Sequence, residues 1–127
     1  MGSENWTREN IIWLAGLMEG EGAFFIRRRE PKRRDAPAVA LQMCDRDVVV
    51  RAREIAGVGG AICLGDRAKH YPNKGWKDIW HWRVQKVDDA IALMWALYPW
   101  MGERRQQQIR DCLAVWSSTQ YRVRRSA

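Results

Sequence analysis

Apolar residues run almost unbroken from Ile11 to Met18, and the chain then enters two carboxylates set between glycines, Glu19-Gly20-Glu21-Gly22. The run predicts a helix that starts near Thr7, a good N-cap, with Glu9 favourably placed in its first turn. A helix with no polar face must be buried on more than one side. The chain's own sheet can cover one side, and the other calls for a partner. Gly16 and Gly20 lie four residues apart on one face beside Ala15, which allows close approach of a second helix. Carboxylates at the end of a helix sit at the negative pole of its dipole, so they call for a compensating cation.

Alternation replaces this helical pattern over residues 23–29. Phe24 and Ile26 point one way there, and Phe25, Arg27 and Arg29 the other. Residues 30–37 form a loop with two prolines and a cluster of cations. A second strand over 38–43 has Val39, Leu41 and Met43 on its apolar face. The two segments read as a hairpin with one dry face and one wet, partly basic face. A helix over 47–56 carries Val48, Val49, Ala52 and Ile55 as its buried stripe, and the glycines at 57, 59 and 60 end it. Residues 61–64 read as a short strand whose facing is open, because the run is apolar throughout. A polar turn region spans 66–77. A fourth strand over 79–85 points Trp80, Trp82 and Val84 inward and His81, Arg83 and Gln85 outward. A helix from Asp88 or Asp89 to Tyr98 is interrupted by Pro99. A last helix over 103–116 is followed by a basic tail at about 117–127.

Composition narrows the possibilities. At 127 residues the chain is read as one domain, 1–127, with 46% hydrophobic residues and no internal repeat. A net charge of +7 and a pI near 9.8 favour a polyanionic partner, nucleic acid ahead of an acidic membrane. Cys44, Cys63 and Cys112 lie in apolar runs, have no zinc-type spacing and read as buried reduced thiols. With only His70 and His81 present, no His-rich metal site and no His-centred nuclease motif can be assembled. No apolar run reaches membrane-span length and no signal-peptide pattern opens the chain, so the expected location is intracellular, cytoplasmic, with no membrane partner. Arginine outnumbers lysine seventeen to five, which points to a GC-rich bacterial or phage genome.

The stretch Leu14-Ala15-Gly16-Leu17-Met18-Glu19-Gly20-Glu21-Gly22 resembles the signature of the LAGLIDADG homing endonucleases, with Glu at both acidic positions. The order α-β-β-α-β-β-α-α is similar to that family's fold over nearly the whole chain. The resemblance implies an α+β fold whose curved four-stranded antiparallel sheet is a DNA-binding saddle. It implies a site-specific double-strand DNA endonuclease that hydrolyses phosphodiester bonds with Mg2+ or Mn2+, in intron, intein or mobile-gene homing. One motif gives one metal-binding acid and a double-strand break needs two cuts, so a homodimer on a (pseudo)palindromic site is expected. The alternative is a silent or dual-role relative acting as a maturase on RNA or as a DNA-binding regulator.

The same resemblance assigns roles to residues. Glu21 is the catalytic metal ligand, with the Gly20 carbonyl as a further metal oxygen, while Glu19 is mainly structural. Asp45 matches a polar residue that orients water or metal. Arg104 matches the basic residue that stabilises the scissile phosphate, with Arg105 as the alternative. Ile11, Leu14, Ala15, Gly16, Met18 and Glu19 form the expected dimer interface. On the outward strand faces Arg27, Arg29, Gln42, His81 and Arg83 are candidate base readers. Lys32, Arg33, Arg34, Lys69 and Lys74 are candidate phosphate contacts, and Phe25 suits stacking, a thymine methyl or local packing.

Overall fold

A computed structural model describes residues 2–29, 33–65, 74–75 and 77–126, with side chains for 4–118 among them. Helix α1 (Arg8–Glu21) starts where its cap requires: the Thr7 hydroxyl accepts from the Asn10 N–H at 3.2 Å. It ends without a loop, and strand β1 (Gly22–Arg27) follows at once. Gly22 makes this junction possible. A Cβ there would lie 2.8 Å from Met18 Sδ and 2.9 Å from the Met18 carbonyl oxygen, so the strand leaves the helix only with no side chain at that point.

Strand β2 (Ala36–Met43) pairs antiparallel with β1 on one side and with β4 (Trp80–Val84) on the other. The short β3 (Cys63–Leu64) completes an open four-stranded sheet in the order β1-β2-β4-β3. Three further helices are α2 (Arg46–Ala56), α3 (Val87–Leu97) and α4 (Glu103–Ser126). All four helices contribute to one core against one face of the sheet. Phe24, Val39, Leu41, Trp82 and Val84 come from the strands, and they meet Leu14, Met18, Val49, Ile55, Leu93, Met94 and Ile109 from the helices. The α+β architecture expected from the sequence is the one observed.

Trp82 shows how a bulky polar-tipped residue is accommodated in that core. It is fully buried, and its indole N–H donates to the Val58 carbonyl at 3.1 Å. Gly59, at φ +101°, sits directly against the ring. A side chain at this position would be strained as well as overlapping the indole.

Several boundaries differ from the sequence reading, among them the start of β2, which comes two residues earlier than expected, at Ala36. β1 stops at Arg27, because Arg29 turns its guanidinium back onto the Arg34 carbonyl at 2.8 Å. β3 is only two residues long, and its register places Cys63 beside His81 on the outer face. Cys63 is therefore exposed, as is Cys44, and of the three thiols expected to be buried Cys112 alone is. Pro99 ends α3 as expected, by way of a 3-10 turn, Tyr98–Trp100. The last helix does not give way to a tail at 117. It runs on to Ser126, since neither Gly nor Pro interrupts that stretch. Among the described residues no helix is long and apolar enough to cross a membrane.

Candidate nucleic-acid interface and active site

Strand parity puts Ala23, Phe25 and Arg27 of β1 on the sheet face away from the helices. Ala36, Ala38, Ala40 and Gln42 of β2 share it, as do His81 and Arg83 of β4. The register pairs large residues with small ones: Phe25 faces Ala38, Arg27 faces Ala36, and Ala40 lies between Ala23 and Arg83. β2 therefore supplies a floor of alanines between two strands that carry longer side chains. A groove of about 520 Å³ follows this floor, lined by Phe25, Arg27, Gln42, His81, Arg83 and Gln85, with Glu21 at one end. A second groove, of about 600 Å³, lies on the other flank of β4 and shares His81, Arg83 and Gln85 with the first. These three residues form a ridge between two troughs.

The alanine floor also lets Arg27 cross the sheet. Its Nη2 donates to the Gln85 carbonyl at 3.3 Å, on the far side of β2. Its Nε is buried with no hydrogen-bond partner among the described residues. Arg27 is thus half engaged, whereas Arg83 and Gln42 are exposed. Phe25 is half-buried opposite the fully buried Ala38, so local packing accounts for an aromatic residue on a wet face.

Two expected DNA contacts are taken up inside the chain. The Arg34 guanidinium stacks 3.1 Å from the Trp116 ring centroid, and the Arg29 guanidinium lies 6.0 Å from the same ring. Burial, and then the neighbouring Arg33 and Arg27 charges, lower the pKa of Arg29, while Asp35 acts in the opposite direction. Among the described residues of this segment, Arg28 and Arg33 are the exposed cations. Lys32 and Lys69 lie outside the described residues, and Lys74 is exposed. Gln85 and Lys86 line the grooves but were not among the expected contacts. Gln85 had a sequence signal, since it shares the parity of His81 and Arg83. Lys86 had none, because it follows the strand at the start of α3.

At the end of α1 the two motif acids part company. The Glu19 carboxylate accepts from the Gly102 N–H at 2.6 Å, and Gly102 precedes the first turn of α4. Its charge therefore sits at the positive end of a second helix, which offsets its place at the negative end of its own. The Glu19 carbonyl, orphaned in the last turn of α1, accepts from Arg105 Nε at 3.0 Å. Arg105 is only 8% exposed and also donates to Gln108. This makes Arg105 a brace between α1 and α4 and leaves the exposed Arg104 as the cation open to solvent there. Glu21 is exposed, and its carboxylate has no hydrogen-bond partner among the described residues. Asp45 precedes α2 at the N-cap position without making a side-chain cap bond, so its carboxylate too is uncommitted.

The expected dimer interface needs correction. Ile11, Leu14, Ala15 and Met18 are between 0% and 6% exposed within the chain's own core, and Glu19 is bound to α4. These five are unavailable to a partner because the sheet and the other helices already cover that face. The opposite face carries Ile12, Gly16 and Gly20. A Cβ added at either glycine would meet nothing within 4 Å. Trp13 and Trp100 flank this strip, and each lies against an arginine, Arg51 at 4.1 Å and Arg8 at 5.4 Å.

Among the described residues no group of three His, Cys, Asp or Glu side chains could hold a metal. The donors at the groove end are hard oxygens with one committed-free carboxylate. That suits Mg2+, which takes one or two protein carboxylates and keeps water and phosphate oxygens, and it does not suit zinc.

No family model matches the sequence, and no curated protein matches it. Solved structures do. I-CvuI in complex with a DNA target superposes with a TM-score of 0.62 at 16% identity, over 85% of this chain and 66% of that one. The fold is that of the LAGLIDADG homing endonucleases. The archaeal intron-encoded I-Vdi141I complexed with DNA gives a TM-score of 0.59 at 16% identity, over 80% of this chain and 64% of that one. The group I intron-encoded I-CeuI complexed with DNA gives 0.64 at 15% identity, over 85% and 54%. The chain thus spans between 54% and 66% of the length of these three structures. In this LAGLIDADG fold, Leu14 to Gly22 occupy α1 and its exit, and Glu21 stands at the end of the outer groove.

Proposed function

We propose that this chain is a site-specific DNA endonuclease of the single-motif LAGLIDADG type, divalent-metal dependent and acting as a homodimer on a (pseudo)palindromic site in homing. The observation that carries the reading is the position of Glu21. It is an uncommitted carboxylate at the end of a groove lined by residues suited to base edges, while Glu19 accepts from the Gly102 N–H and, through its carbonyl, from Arg105.

Phosphodiester hydrolysis requires an attacking water, neutralised phosphate charge and in-line geometry. Glu21 and the Gly20 carbonyl would hold Mg2+ or Mn2+, which supplies charge neutralisation and water activation when bound. Arg104 faces solvent beside this end and would neutralise the scissile phosphate, with Asp45 orienting a water. The His81–Arg83–Gln85 ridge, with Gln42 and Arg27 across the floor, would read base edges in the major groove, where a β-ribbon fits. Arg28, Arg33 and Lys74 would contribute phosphate contacts and a salt-dependent affinity.

The uncovered strip of α1 supports the dimer. Gly16, inside α1, costs about 0.5–1 kcal/mol relative to alanine, and among the described residues nothing lies within 4 Å of a Cβ at Gly16 or Gly20. Close approach of a second α1 would require both, and it would deliver two copies of Glu21, one per strand.

Incubation with a randomised palindromic DNA library and magnesium tests the proposal, with Glu21→Gln as the comparison. Specific double-strand cleavage by the wild type, lost in the variant while binding is kept, is the expected result. Binding without cleavage by the wild type would overturn it in favour of a regulator. Binding of intron RNA alone would favour the maturase.

A further inference from the structure

The last helix is fastened at two places, and the two lie at opposite ends of β1. Its start holds the exit of α1 through Gly102 and Arg105, as described above. Farther along, Trp116 receives the guanidinium groups of Arg34 and Arg29, which belong to the β1–β2 connection. Arg29 Nε in turn donates to the Arg34 carbonyl, so the two limbs of that connection are tied to each other as well as to the ring. From Arg105 to Trp116 a helix rises about 17 Å, and the six residues of β1 span about 20 Å. α4 packs against β1. A stiff element therefore sets the separation between Glu21 and the described limbs of the connection, residues 28–29 and 33–35. Along B-DNA, 20 Å corresponds to about six base pairs at 3.4 Å each.

We propose that Trp116 is a positioning residue for sequence reading. Stacked against Arg34 and Arg29, it fixes where the exposed Arg28 and Arg33 meet DNA, about six base pairs from the cut. Arg29 and Arg34 are then anchors, and Arg28 and Arg33 are the contacts. This inference rests on the DNA-binding reading above, but its geometric half, the anchoring of the connection, does not. Guanidinium groups stack on an aromatic face irrespective of what lies beyond them, so Phe at 116 preserves the device and Leu removes it.

The experiment compares the wild type with Trp116→Leu and Trp116→Phe in two measurements. Limited trypsin digestion reads cleavage after Arg28, Arg29, Arg33 and Arg34 without DNA. Trp116→Leu is expected to be cut there about tenfold faster and Trp116→Phe at nearly the wild-type rate. Selection from randomised DNA reads base preference by position. The Leu variant is expected to lose preference at the pairs about six from the cut and retain it nearer the centre, with Phe restoring it. Unchanged digestion of the Leu variant would overturn the anchoring. Equal loss of preference at every position would overturn the positioning role, since a general structural defect has that signature. Faster digestion of the Leu variant with no sequence preference in the wild type would uphold the anchoring while overturning the DNA-binding reading and the specificity that depends on it.

Discussion

The two faces of α1 are made of similar residues and have opposite environments. The inner face, with Leu14 and Met18 at 0% exposure, is locked under the sheet and the other helices. The outer face has Ile12 at 39% exposure and two glycines beside which no described residue comes within 4 Å of an added Cβ. The same division continues into the acids at the helix exit: Glu19 is bound to α4, and Glu21 is uncommitted. One helix thus holds the fold together on one side and presents unfilled valences, apolar and ionic, on the other. In a helix that is hydrophobic all round, composition does not distinguish these sides; only neighbours do.

Substitutions that should separate the two faces differ in size. Leu14→Ala empties a fully buried site and is expected to cost about 2–5 kcal/mol in urea denaturation. Gly22→Ala presses a methyl onto Met18 and should cost about 1–3 kcal/mol. Glu19→Ala removes a charge-assisted bond to the Gly102 N–H and should cost about 1–2 kcal/mol, whereas Glu21→Gln should leave the urea midpoint unchanged. Equal effects of these two would erase the distinction between the acids. Gly16→Ala tests the outer face by sign. It should stabilise the isolated chain by about 0.5–1 kcal/mol, yet weaken self-association in sedimentation. Stabilisation with association untouched would mean that this face meets no second copy.

The smallest effect concerns pH. Cys112 lies in the core on α4, and burial, followed by the nearby Asp111 charge, pushes its thiol up to about 11 from 9.0. The folded state therefore holds this proton more tightly than the unfolded state. Stability should be intact below pH 9 and decline as pH rises from 9 through 11. A thiol reagent at pH 8 should label the exposed Cys44 and Cys63 quickly and Cys112 slowly. Rapid labelling of all three would show that the core beneath α1 is looser than its burial indicates.

Much of this was legible in the sequence. Thr7 marked the start of α1, period-two alternation marked the faces of β1, β2 and β4, and acid-Gly-acid-Gly marked the motif. Among the expected DNA contacts, the side chains taken up inside the chain are arginines. Arg29, Arg34, Arg104 and Arg105 are identical in charge, and a sequence gives each the same claim to a phosphate. Trp116 captures two of them and the Glu19 carbonyl a third, from positions 82 to 87 residues away in the chain, a separation no local pattern spans. The continuation of α4 past Trp116 was missed for a different reason: its basic residues read as a tail, although no helix breaker is present.

The sequence by itself determined the elements, their faces and the presence of two acids at a helix exit, because capping, periodicity and glycine placement act over a few residues. Only the tertiary structure decided which face of α1 is left open, which acid is left unpaired and which arginines remain at the surface. Those outcomes depend on what packs against each side chain from distant parts of the chain, and burial and hydrogen-bond satisfaction are settled there.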